Sequence, residues 1–141
     1  MKILCDTSVI VAATIQEHEH HVPSVRLMES LSNKRKTSFL ASHTLSECYA
    51  TLTSSVFGMS PQMMEESFLN PISSLFNFVA LTHLDYIRAF KRTVKNGFVS
   101  GVIYDALILE CALKRDVDVL YTWNGKHFLR FNETRIKILS P

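Results

Sequence analysis

Asp6 ends the first apolar run of the chain, in Lys2-Ile3-Leu4-Cys5-Asp6-Thr7-Ser8. A carboxylate there falls where a short strand gives way to a helix. In an open parallel sheet, ligands bind in the crevice outside the carboxyl ends of the strands. Glu47 and Asp105 each lie beside apolar segments that would carry them to the same place. Three converging carboxylates repel one another unless a divalent cation sits between them. Each acid also has an ordinary structural role. Asp6 is placed to cap the next helix, although Thr7 or Ser8 could supply that cap. Asp105 falls in the first turn of an apolar helix and complements its dipole. Glu47 lies opposite the apolar stripe Leu45–Cys48–Leu52, and Thr44-Leu45-Ser46-Glu47 fits a capping box with Thr44 as N-cap.

Other polar groups carry weaker signals. Leu120-Tyr121-Thr122-Trp123-Asn124-Gly125-Lys126-His127-Phe128 reads as a strand ending in Thr122, with polar groups again at its carboxyl end. Asn124 offers an oxygen or a donor, yet Asn-Gly is also a strong turn dipeptide. His127 is either a surface residue or a base near phosphate. Glu17-His18-Glu19-His20-His21 lacks a helical i, i+4 histidine frame and reads as a solvated loop. Arg88, Lys91, Arg92 and Lys95 share one side of a helix, which is either a solvated face or a contact for a phosphate backbone. Lys34-Arg35-Lys36 has the same two readings.

The elements that must position these groups alternate along the chain. Strands are expected at Ile3–Cys5, Ser38–Ala41, Phe76–Leu81, Asp118–Tyr121 and, at an edge, Ile136–Leu139. Between them, Ser8–Ile15 and Val22–Leu31 read as helices. A third helix carries Leu45, Cys48, Tyr49, Leu52 and Val56 on one stripe and ends at Gly58. Ser60-Pro61 opens another, which Asn70-Pro71 breaks or kinks. His83–Lys95 is amphipathic, with Leu84, Ile87, Phe90 and Val94 expected to face inward and Asn96-Gly97 ending it. Ile103–Leu113 is apolar almost throughout and so mostly buried. This alternation predicts a single α/β domain over 1–141, with a mainly parallel sheet of about four or five strands flanked by helices.

Composition bounds the class. A chain of 141 residues with 47% hydrophobic and 20% charged residues is a folded globule rather than a disordered segment. The net charge of +2 neither announces nor excludes a nucleic-acid partner. Cys5, Cys48 and Cys111 all sit in apolar segments without a CxxC pair, as buried free thiols in a reducing compartment would. No signal peptide and no bilayer-length apolar stretch is evident, so a soluble cytoplasmic protein is expected.

Taken together, these residues resemble the PIN domains, and among them the VapC-type toxin ribonucleases of toxin–antitoxin modules. The marks are Leu4-Cys5-Asp6-Thr7-Ser8, Ser46-Glu47, Tyr104-Asp105-Ala106-Leu107-Ile108, and Leu120-Tyr121-Thr122-Trp123-Asn124 followed by His127-Phe128. Their order and spacing cover essentially the whole chain. The resemblance implies that Asp6, Glu47 and Asp105 bind Mg²⁺ or Mn²⁺ and cleave RNA endonucleolytically. Ser8, Thr122 and Asn124 would orient waters or phosphate oxygens. It also implies a homodimer, and a VapB-like antitoxin that places a basic side chain in the acidic cleft. Family members often carry a fourth acid where Asn124 and His127 stand here, so a degenerate PIN domain that binds RNA or protein without cutting is the alternative. Receiver and haloacid-dehalogenase domains also begin with an Asp after the first strand. The latter wants a second Asp where Ser8 stands, and the former an acidic pair and a late Lys that are not evident.

Overall fold

A computed structural model describes residues 1–141. The elements in chain order are β1 (Ile3–Cys5), α1 (Thr7–Thr14), α2 (His21–Leu31), β2 (Ser38–Ala41), α3 (Thr44–Leu52), α4 (Pro61–Met63), α5 (Asn70–Leu75), β3 (Asn77–Val79), α6 (His83–Lys95), α7 (Val102–Lys114), β4 (Val119–Tyr121), α8 (Gly125–Leu129) and β5 (Lys137–Leu139). All five strands are parallel, in the order β3-β2-β1-β4-β5. The chain builds outward from β1 through β2 to β3, then crosses back to add β4 and β5 on the other side. That reversal makes the boundary between β1 and β4 the topological switch point, where the crevice of an open α/β sheet lies.

The strands are short; the central β1 and β2 are buried on both faces, as parallel strands covered by helices must be, while the edge strands β3 and β5 are only partly covered. Alternation divides β1: Leu4 faces one core, and Ile3 and Cys5 face the other. The first core joins the sheet to residues of α6, α7 and α8, including Ile108, Leu109 and Phe128. The second joins it to the helices before β3 through Val9, Ile10, Leu31, Leu52 and Phe76. Fully burying a side chain such as Phe76 or Phe128 contributes about 1.5–3 kcal/mol. The three cysteines are free and buried, and burial pushes the Cys111 thiol up to about 12.

Three local expectations change. The third helix ends at Leu52, well before Gly58, because Thr53 and Ser54 turn their hydroxyls back onto the carbonyls of Tyr49 and Thr51. Val56 is therefore outside the helix and exposed. Asn70-Pro71 does not break its helix. A π-helical stretch over Met64–Leu69 leads from α4 into α5, and the widened turn accommodates a proline that has no N–H to donate.

The largest change concerns α6, whose bounds are as expected but whose faces are reversed. Leu84, Ile87, Phe90 and Val94 are all exposed, Phe90 by 64%. The face packed inward carries Asp85, Ala89 and Thr93. Small Ala89 permits close approach of α7, and the buried charges are neutralised in place. Asp85 pairs with Arg88 and with Lys114 Nζ at 2.8 Å, and Glu110 of α7 takes Arg92 Nη2 at 3.0 Å. Asp85 also accepts from the Thr82 backbone N–H at 2.7 Å, completing a capping box. Its hydrogen bond from Lys114 and that from Thr82 hold its carboxyl well below the usual range. Periodicity identifies an apolar face but not what covers it.

Candidate active site

Asp6 is the residue after β1, and its own N–H continues the sheet by donating to the Tyr121 carbonyl of β4 at 2.9 Å. That bond fixes the backbone at the switch point and sends the side chain into the crevice. Asp6 occupies the N-cap position of α1 but makes no side-chain cap there, and neither Thr7 nor Ser8 is the cap. Its Oδ2 instead accepts from Ser8 Oγ at 2.7 Å and from Thr122 Oγ1 at 2.8 Å. Both hydroxyls are held in turn by backbone amides of the segment after β4. Trp123 N–H donates to Ser8 Oγ at 3.1 Å, and Asn124 N–H donates to Thr122 Oγ1 at 2.9 Å. Two amides thus orient two hydroxyls, and two hydroxyls orient one carboxylate.

Glu47 stands on the first turn of α3, which begins directly after the carboxyl end of β2. The expected capping box is absent: His43 is the N-cap residue, and Thr44 is the first helical residue. Glu47 Oε2 accepts a hydrogen bond from the Thr7 hydroxyl. Asp105, in the first turn of α7, lies with Oδ2 3.3 Å from His127 Nδ1. Asp6, Glu47 and Asp105 line one cavity of about 660 Å³, together with Ser8 and Asn124. Burial, then the charge of Asp6, pushes the Asp105 carboxyl up to about 6; His127 opposes this and Glu47 adds to it. Mutual repulsion across the cavity is therefore part of the site.

The donor chemistry fits a hard cation: three carboxylates on one open cavity, with no thiol lining it. As placed, the acids do not gather within ligating reach of one point. Each is instead engaged by its own neighbour through a single oxygen, Asp6 by Ser8 and Thr122, Glu47 by Thr7 and Asp105 by His127. The second oxygen of each carboxylate has no partner within the chain.

A family model described as PIN domain matches residues 3–133. The chain belongs to the PIN domain family. Solved structures of similar fold include VapC20 from Mycobacterium tuberculosis, a Sarcin-Ricin loop cleaving toxin, at 19% identity and a TM-score of 0.74, covering 89% of this chain and 92% of that one. VapBC2 from Rickettsia felis, bound to a promoter DNA fragment, aligns at 20% identity and a TM-score of 0.68 over 99% of this chain and 98% of the other. FitAcB from Neisseria gonorrhoeae aligns at 16% identity and 0.67, over 99% and 97%. No curated protein matches the chain.

Within this PIN domain, the acids and hydroxyls singled out in the sequence meet in one place. Asn124 contributes through its backbone N–H, while its exposed side chain lines the cavity without a hydrogen bond. His127 is exposed but faces Asp105 rather than open solvent alone. The four basic residues of α6 do not line the cavity. Arg88 and Arg92 are paired with Asp85 and Glu110. Both guanidiniums, for which an RNA contact is one of two readings, are thus already engaged, and Lys91 and Lys95 are exposed and outside the cavity. The histidine loop departs from expectation too, because His18, Glu19 and His20 line the cavity. Thr7, Tyr104 and Trp123 also belong to it. Only their adjacency to Asp6, Asp105 and Thr122 signalled this in the sequence.

Proposed function

We propose that this PIN domain is a metal-dependent endoribonuclease, acting as the toxin of a type II toxin–antitoxin module. The observation that carries the reading is the convergence of Asp6, Glu47 and Asp105 on one cavity at the switch point, with the Asp105 carboxyl pushed up to about 6. Bound there, Mg²⁺ or Mn²⁺ would supply an activated water and neutralise charge on the scissile phosphate. Asp6, Glu47 and Asp105 would be the residues that hold the ion. Ser8 and Thr122 keep Asp6 from rotating away, and the amides of Trp123 and Asn124 keep those hydroxyls aligned. Thr7 does the same for Glu47. The Asn124 side chain is free to meet a water or a phosphate oxygen.

Several properties complete the reading. Similarity to VapC20, VapBC2 and FitAcB supports a VapB-like antitoxin as the partner. The exposed apolar stripe of α6 supports a homodimer. No helix is long and apolar enough to cross a membrane. Three buried free thiols suit a cytoplasmic setting.

A second reading, a PIN domain that binds without cutting, is favoured by one observation: no ligating trio is preassembled. Cleavage of a mixed-structure RNA in Mn²⁺, Mg²⁺ or EDTA, run beside Asp6→Asn, separates the two. Metal-dependent cutting that is lost in the variant supports the nuclease. Absence of cutting in every condition, with no thermal shift on adding Mn²⁺, supports the binding module.

A further inference from the structure

The acid cavity has a second, aromatic wall to which the nuclease reading gives no task. His18, His20, Phe57, Tyr104 and Trp123 line it beside the carboxylates. The His20 imidazole stacks on the Trp123 indole, with ring centroids 3.9 Å apart and planes 13° from parallel. His18 extends the series, tilted, at 5.6 Å from His20. The indole is anchored at its ring nitrogen, which donates to the buried Ser24 Oγ at 2.9 Å. Its backbone N–H donates to Ser8 Oγ, the same hydroxyl that donates to Asp6. One residue therefore ties the aromatic wall to the acid site at a fixed separation. Tyr104 precedes Asp105 on α7, is 57% exposed, and has no hydrogen bond to its hydroxyl within the chain.

Such surfaces are stacking platforms. Every nucleobase has a π face, so aromatic rings along a nucleic-acid path bind successive bases with little demand for sequence. A platform locked by hydrogen bonds loses little further freedom on binding. We propose that the His20–Trp123 stack and Tyr104 form a nucleobase subsite, which holds the unpaired base of a nucleotide flanking the phosphate presented to Asp6, Glu47 and Asp105. This rests on RNA being the substrate. It restricts that substrate: inside a duplex both faces of a base are covered by its neighbours, so the subsite selects loops, bulges and single strands.

Trp123 is the single tryptophan of the chain, so its emission reports on the subsite directly. The test is titration with a single-stranded RNA octanucleotide in EDTA, and with the same strand annealed to its complement. The single strand should quench the emission saturably and the duplex should leave it unchanged. Tyr104→Ala and His20→Ala should each weaken binding about tenfold, and Tyr104→Phe should restore it. Equal quenching by the duplex, an unchanged emission, or wild-type affinity in Tyr104→Ala would each overturn the subsite. Tyr104 lies at the surface, so its variants keep the fold, which circular dichroism checks. A parallel Mn²⁺ cleavage assay separates the two claims. Single-strand binding without cleavage keeps the subsite and removes the nuclease; cleavage without an emission change removes the subsite alone.

Discussion

Thr122 Oγ1 donates to Asp6 Oδ2 at 2.8 Å, across the two strands between which the sheet changes direction of growth. The same hydroxyl accepts the Asn124 N–H, so its orientation is set by the backbone. Thr122 is fully buried, and Thr122→Val removes the donor at nearly constant volume. Loss of a partner that orients a metal-binding carboxylate lowers affinity or activity about 10–100-fold. Mn²⁺ affinity by calorimetry and initial cleavage rates should both fall in that range, while the fold persists. Unchanged affinity would show that Ser8 alone holds Asp6.

Asp105→Asn should abolish cleavage yet stabilise the metal-free protein. Burial and the neighbouring Asp6 raise the Asp105 carboxyl from 3.8 to about 6, so the fold favours its neutral form. That contribution is fully present below the ordinary aspartate pKa and is lost as pH climbs through about 6. At pH 7.5 in EDTA, relief of the ionised group should contribute about 1 kcal/mol, or roughly 3–5 °C in Tm. The gain should vanish near pH 4. Added Mn²⁺ should reverse the order, stabilising the wild type and not the variant. A lower Tm for the variant in EDTA at pH 7.5 would contradict the repulsion.

What the sequence disclosed follows from how local each signal is. The strand-then-acid pattern at Asp6, the first-turn position of Asp105 and the strand-ending Thr122 were legible because backbone topology places them. Glu47 was not decidable from pattern, since its partner Thr7 lies on a different helix. The same limit hid His18 and His20, whose route to the cavity runs through packing on Trp123. On α6 the stripe was visible, but its burial depended on whether Asp85 and Glu110 found cations. Arg88, Arg92 and Lys114 supply them, and this network let a polar face become the inner one.

The same network makes Arg92 structural. Its Nη2 and Nε lie 3.0 Å and 3.2 Å from Glu110 Oε1, and Glu110 is 4% exposed. Arg92→Ala would leave that carboxylate with Arg88, 3.4 Å away and largely in solvent. A loss of about 1–3 kcal/mol is expected, below the full cost of orphaning a buried charge. Urea unfolding should show a lower midpoint, with single-stranded RNA affinity unchanged. Weakened RNA binding at unaltered stability would instead make Arg92 a phosphate contact.

Ile87, Phe90 and Val94 present apolar surface on one side of α6, with Leu84 and Tyr86 near them. The guanidiniums of Arg88 and Arg92 are already paired, so two copies of this face can meet with less like-charge repulsion. In a two-fold interface every residue counts twice. Burying Phe90 from both protomers would contribute about 3–6 kcal/mol, roughly two to four decades in Kd. Light scattering coupled to gel filtration should therefore give a wild-type mass of twice the 16.1 kDa chain, and the chain mass for Phe90→Asp. Because Phe90 lies outside both cores, the variant should keep the wild-type circular dichroism. A wild-type monomer at tens of micromolar would remove the homodimer through α6, and with it the reason for leaving this stripe exposed in a single chain.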